Sequence, residues 1–365
     1  MNLLQEPGGQ LDSPALLAAA SAAGHPVSAR LLALFRSQGL IPHPQRAGYQ
    51  GRAPVWLYSY GTDRQLVALL EHRTRTRDPD LLRVLLWLDG FIIPTGDVRR
   101  ALTSHLQRMI ETMEQAIRAE ARRLGLDPAD GTARDRAVGA LAGTMAAKRG
   151  TTPIPRHGRV PARDRAEGVE LLIRSLGLGE QVEGTPGQGE AVERTLGITP
   201  GRRRSAVSGQ PWLTGSAEEI FGAAGIVSVP RLLECTAGAV DEDLEAARRS
   251  AIALVRVLPL ATRMMDVLSG RGNTIGLAAF EQVTGHPEIV MWLLPAVVSM
   301  AKGGMTENLS AITDSLQPFP ELAARARALV EMPAAVVEKN LENKSENERR
   351  RAQRIIDAAI DGRLD

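Results

Sequence analysis

The sequence predicts a mainly α-helical chain, with an N-terminal winged helix-turn-helix carrying a small β wing and an all-α helical C-terminal region. Three observations predict it. Aromatic residues make up only 3% of the 365 positions while Ala, Leu and Arg abound, a composition that favours helix over sheet. Apolar residues recur at helical spacing through most of the chain. Between residues 41 and 60 the pattern changes, with prolines at 42, 44 and 54, glycines at 48 and 51, and the β-favouring run Val55, Trp56, Leu57, Tyr58.

The elements follow in order. Ser13 is an N-cap with Pro14 at the first helical position, and its helix ends at Gly24. Ser28 caps a second helix to Gln38, turning Leu31, Leu34 and Phe35 inward and leaving Arg30, Ala33, Arg36 and Ser37 outward. Residues 44–54 read as a basic loop, and Val55 to Tyr58 as the returning strand of the wing. Thr62 caps a third helix, and Asp78-Pro79 opens a fourth that carries Leu82, Leu85, Leu86 and Trp87 to Gly90. From Gly96 to Leu124, Leu102, Leu106, Met109, Met113 and Ile117 form a seam that suits either dimerisation or packing on the chain's own later helices.

Four regions result: 1–94, the winged helix-turn-helix; 95–147, connecting or dimerisation helices; 148–215, an irregular Gly/Pro-rich hinge holding one helix near 163–176; and 216–365, an all-helical domain. Within the last, helices are expected over 242–268, 274–283, 287–300, 308–316, 320–335 and 345–360. Their unequal lengths give no repeat signature.

The net charge of +2 is unevenly spread. Residues 23–77 hold eight arginines against Asp63 and Glu71, a local charge of +6, and no lysine occurs before Lys148. Arginine suits bidentate contact with phosphates and guanine edges, although by charge alone a solvated surface patch reads the same. Arg202, Arg203 and Arg204 read as a solvated basic loop.

Chemistry-bearing patterns are weak. The six histidines show no metal-ligand spacing, so neither a metal site nor a cofactor is expected. No phosphate loop, nucleophile elbow, zincin or kinase signature occurs, and no enzyme activity is expected. Asp241, Glu242 and Asp243 fit a helix start. Cys235 reads as a buried structural thiol. Met264, Met265, Met291, Trp292, Met300 and Met305 read as core, with an apolar pocket as the alternative. Tyr58 and Trp56 read as strand core. The opening residues lack a basic leader and the uncharged stretch Ile289 to Ala301 is too short to span a bilayer, so a cytoplasmic chain without membrane contact is expected.

The fragment Ser28-x-x-x-Leu32-x-x-Phe35-x-x-x-Gly39-Leu40-Ile41-Pro42, followed by Arg46, Tyr49, Arg52 and Tyr58, resembles the MerR-type helix-turn-helix over residues 13–77. The resemblance implies that Ser28, Arg30 and Arg36 approach the major groove and that Arg46, Tyr49 and Arg52 reach the flanking backbone; Ser37 and Arg64 complete the expected DNA-binding set. Independently of the resemblance, a helix N-terminus offers free N–H groups to phosphate, and a recognition helix reads with its first turns. The expected partners are double-stranded DNA, a second copy of the chain, and a small-molecule or protein effector at the C-terminal domain. Together they describe a sequence-specific transcriptional regulator; the alternative is a helical protein-interaction scaffold whose N-terminal module binds a protein partner.

Overall fold

The computed structural model describes residues 11–50, 53–147, 160–181, 191, 225–257, 260, 261, 263, 264, 286–330 and 344–361. It is mostly helical, with one two-stranded antiparallel sheet. The chain divides into two units, Met1–His105 and Leu106–Asp365.

In the first unit, α1 (Ser13–Ala22) and α2 (Ala29–Ser37) are joined by a tight turn. Asp12, not Ser13, caps α1: its Oδ1 accepts from Ala15 N at 2.9 Å, and Ser13 is already helical. Either residue type can cap, and the carboxylate one place earlier takes the role. Ser28 caps α2 as expected, its Oγ accepting from Leu31 N at 3.2 Å. Gly39, at φ 68°, ends α2 in the left-handed region, letting Leu40 N donate to Phe35 O at 2.9 Å and turning Leu40 and Ile41 into the core.

The segment read as a loop contains a strand. β1 (Gln45–Gln50) pairs antiparallel with β2 (Ala53–Leu57), so Gln45 to Gln50 is ordered by its partner despite lacking β-branched residues. Tyr58, fully buried, follows β2 and its N–H donates to Leu11 O at 2.8 Å. Helix α3 (Thr62–Arg73) is capped by Gly61 rather than Thr62, whose hydroxyl is buried and donates to Ser59 O. α4 (Pro79–Asp89) starts at the expected Asp78 cap. Leu16 of α1, Phe35 of α2, Leu66 and Leu69 of α3, and Leu86 and Trp87 of α4 are buried.

α5 (Thr95–Arg123) follows. In the second unit, its lower turns pack Ile117 and Ala121 against α6 (Gly131–Ala147) and α7 (Ala162–Leu172). The α6 contact residues are Ala137, Val138, Ala142 and Ala146, small enough for close approach; a Cβ on Gly139 would lie 3.2 Å from Glu170 Oε2. α7 continues through a wide π turn, Ile173–Gly177. Residues 162–177 of the expected hinge are thus helix, seated in this core; the rest of 148–159 and 182–215, including Arg202 to Arg204, lies outside the described residues except Ala191.

A second cluster joins Leu106 of α5 to Val229 and Leu232 of α8 (Val229–Ala237) and Ala296 of α10 (Val290–Met300). α9 (Asp241–Ile252) lies between them in sequence, and its Asp243 accepts from Val240 N at 3.0 Å, the helix start expected of that acidic run. α10 is buried almost all round, from Val290 to Ser299, as a central helix must be when it is apolar on every face. Then come α11 (Thr306–Leu316), α12 (Pro318–Val330) and α13 (Glu346–Ile360). The expected helix over 274–283 lies outside the described residues. The sequence sets no bounds for α6, within the helices expected over 95–147, or for α8, within the all-helical 216–365.

One helical run, Pro287–Arg325, is long and apolar enough to cross a membrane by length and composition, because helix continues past the uncharged stretch through Lys302; 44% of its most apolar window is buried, and Gly304 at φ 86° kinks it.

Candidate nucleic-acid interface

α2 and the β1–β2 hairpin hold most of the expected site residues. On α2 the core side differs from the one the sequence suggested: Leu32 and Phe35 are buried, whereas Leu34 is 46% exposed. Four apolar residues at 31, 32, 34 and 35 allow two helical faces, and the structure selects the i, i+3 pair. The outward surface therefore consists of Arg30, Ala33, Leu34 and Ser37.

Arg36 departs from its expected outward position. It is half-buried, and its Nε is shielded from solvent without a hydrogen-bond partner among the described residues. Arg73 of α3 stands over the Phe35 ring at 5.6 Å, so cations line this side of α2 also. Ser37 is exposed, its hydroxyl donating to Leu34 O at 2.8 Å. Ser28 uses one acceptor site for its cap, and its hydroxyl hydrogen remains able to donate outward.

The turn after α2 is fixed from two helices. Gln65 Nε2 of α3 donates to Leu40 O at 2.8 Å in the interior, and Arg83 of α4 donates to Gln38 O at 2.6 Å while pairing with Asp80 at 2.8 Å. His72 Nε2 and Asp89 Oδ2, 2.6 Å apart, tie α3 to α4. Sequence reading found none of these three links, because each joins residues far apart along the chain. Two of them anchor the turn after α2 and the third joins the helices that carry those anchors.

On the hairpin, Arg46 faces Trp56 across the strands and Tyr49 faces Pro54, with a bulge between Arg46 and Gly48. An odd spacing in a regular strand would place residues 46 and 49 on opposite faces; the extra residue, Ala47, restores them to one. Accordingly the Arg46 guanidinium lies 4.1 Å from the Tyr49 ring centroid. Trp56, expected in the strand core, is 50% exposed, opposite Arg46; only Tyr58 takes the core position. Arg64, in the first turn of α3, is exposed. Arg52 lies outside the described residues.

No ion pair joins Arg30, Arg36, Arg46, Arg64, Arg73, Arg75 or Arg77 to a carboxylate among the described residues. These seven arginines therefore carry no internal neutralisation by ion pairs among the described residues, which suits a polyanion.

Elsewhere the chemistry is sparse. Among the described residues no group of His, Cys, Asp or Glu could hold a metal ion. Cys235 is buried, and Met264 and Met291 are core. An apolar groove of about 190 Å³ in the second unit is lined by Met109, Met113, Met145, Val169 and Trp292 among others. Of the described residues read as core with a pocket as the alternative, Trp292 lines this groove, together with Met109 and Met113 of the predicted seam; Met265 lies outside the described residues. No protein-family model, no curated protein and no solved structure matches this chain.

Proposed function

We propose that the first unit is a winged helix-turn-helix of MerR-like order that binds double-stranded DNA, and that the chain is a sequence-specific transcriptional regulator. The observation that carries this reading is the set of unneutralised arginines on one short segment. The element order supports it: two helices with a tight turn, a hairpin and the leucine-bearing helix α3 follow one another over residues 13–77, the span of the sequence resemblance. In this reading Ser28 and Arg30 sit at the amino end of α2, where unpaired N–H groups also favour an anion, and Arg46 and Arg64 flank them.

Binding of the full chain to a mixed-sequence duplex across a salt series tests it. With Arg30, Arg46, Arg52 and Arg64 on phosphates, log affinity should fall against log salt with a slope of about −3 to −4. Replacing Arg30 and Arg46 together by Ala should reduce that slope by about 2 and weaken binding roughly 50-fold near 0.1 M salt. No binding at low salt, or an unchanged double variant, would overturn the reading. The exposed Leu34 and Trp56 favour a second reading, a protein partner gripped by the same face; its binding would show little salt dependence.

A further inference from the structure

Charge does not account for the whole of the hairpin surface. Among the described residues the large aromatic side chains exposed to solvent are Tyr49, Trp56 and Tyr60, at 64, 50 and 62%, all within twelve positions of an aromatic-poor chain. The other described large aromatics, such as Phe35, Tyr58 and Trp87, are buried or half-buried. The bulge after Arg46 puts Arg46 and Tyr49 on one face, and the register sets Trp56 directly across from Arg46. A phosphate needs a cation or a donor but no ring. An indole half in water offers apolar area, and on a B-form duplex the matching area is the C–H faces of the sugars and the thymine methyl groups at the base edges.

We propose that Trp56, with Tyr49, forms an apolar contact for the sugars and thymine methyl groups of duplex DNA, adding affinity that salt does not remove. The inference rests on the DNA-binding reading above and adds a residue that the reading did not include. Arg46, stacked on Tyr49 at 4.1 Å, holds that ring in one orientation and keeps its guanidinium edge for phosphate. The hairpin thus divides the work: Arg46 supplies the salt-sensitive part and the two rings the salt-insensitive part.

The full chain is titrated with a mixed-sequence duplex at several salt concentrations, as wild type, Trp56→Ala, Trp56→Phe and Arg46→Ala. Trp56→Ala should weaken binding about ten-fold at every salt concentration with the slope unchanged, and Trp56→Phe should recover most of the loss. Arg46→Ala should instead lower the slope by about 1. Quenching of tryptophan emission by DNA, present in wild type and reduced in Trp56→Phe, reads the contact without removing the ring or depending on how Trp56→Ala folds. Wild-type affinity in Trp56→Ala, or equal quenching in wild type and Trp56→Phe, would overturn the inference while leaving DNA binding intact. Failure of wild type to bind any duplex overturns the DNA reading, and the inference with it.

Discussion

Arginines of residues 23–77 and a set of arginines in the second unit behave differently. In residues 23–77 they stand without carboxylate partners among the described residues, whereas in the second unit Arg123, Arg134, Arg174, Arg231, Arg248, Arg325 and Arg350 each pair with an Asp or Glu. The same side chain is tied to carboxylates in the second set and carries no such partner in the segment. Composition cannot show this, since arginine is frequent in both. An unpaired arginine costs the fold little to remove; a paired one on a structural link costs more, and that asymmetry is measurable.

Arg174 provides the largest expected effect on stability. Partial burial would lower its pKa, but hydrogen bonds to Asp135, Glu180 and Glu170 outweigh that and raise it. The contacts, at 2.8, 3.0 and 3.0 Å, draw three carboxylates together from α6, α7 and the chain after the π turn. Arg174→Ala leaves those carboxylates facing one another. We expect a loss of roughly 2 kcal/mol, between the values for exposed and buried pairs, and a Tm lower by about 4–8 °C. The Arg30→Ala/Arg46→Ala variant should melt like wild type. A double variant that melts as low as Arg174→Ala would erase the contrast.

A smaller effect distinguishes the units by pH. Hydrogen bonding from Arg134, at 2.7 and 2.8 Å, is the main cause holding the Glu114 carboxyl below its ordinary 4.5; burial works against it, and the charges of Arg134 and Arg118 assist. Because the folded value is lowered, this stabilisation is present above the unfolded pKa and is lost as pH falls through the lower, folded one. Melting followed from pH 6 down to pH 3 should therefore fall more steeply in wild type than in Glu114→Gln. At neutral pH the substitution should cost only about 0.5–1 kcal/mol, since water screens a pair about a third exposed. Parallel pH curves for the two proteins would remove Glu114 from the acid response.

Much of this was legible in sequence, and what was not has physical causes. The caps at Ser28 and Asp78, the glycine stop at Gly39 and the buried Tyr58 follow from local chemistry acting within a few residues. β1 was missed because Gln-Arg-Ala-Gly-Tyr-Gln has little strand preference of its own and is ordered by β2. α6, inside the helices expected over 95–147, has no bounds legible in sequence because Gly131–Ala147 packs through small residues, which leave no apolar stripe to read. In the candidate site, Arg30, Arg46 and Tyr49 were found from charge and resemblance. Trp56 reads as inward because it stands two places before Tyr58 in an alternating run, but β2 ends at Leu57 and only Tyr58, bridged to Leu11, reaches the core. Arg36 was misplaced because two adjacent apolar pairs on α2 allowed two rotations of the helix.

Ser28 belongs to both halves of the comparison, since its Oγ caps α2 and it also stands among the residues proposed to meet phosphate. Two substitutions separate the roles. Ser28→Ala removes the acceptor and should cost about 1 kcal/mol of stability. Ser28→Asp keeps an acceptor of comparable capping strength and adds a negative charge that the helix dipole favours, so melting should hold or rise slightly. Toward a polyanion the order reverses: the aspartate should weaken duplex binding several-fold, most at low salt, whereas the alanine should lose only what one hydroxyl contact supplies. If Ser28→Asp bound DNA as wild type does, the amino end of α2 would not face phosphate, and the contact would have to rest on the hairpin and α3 instead.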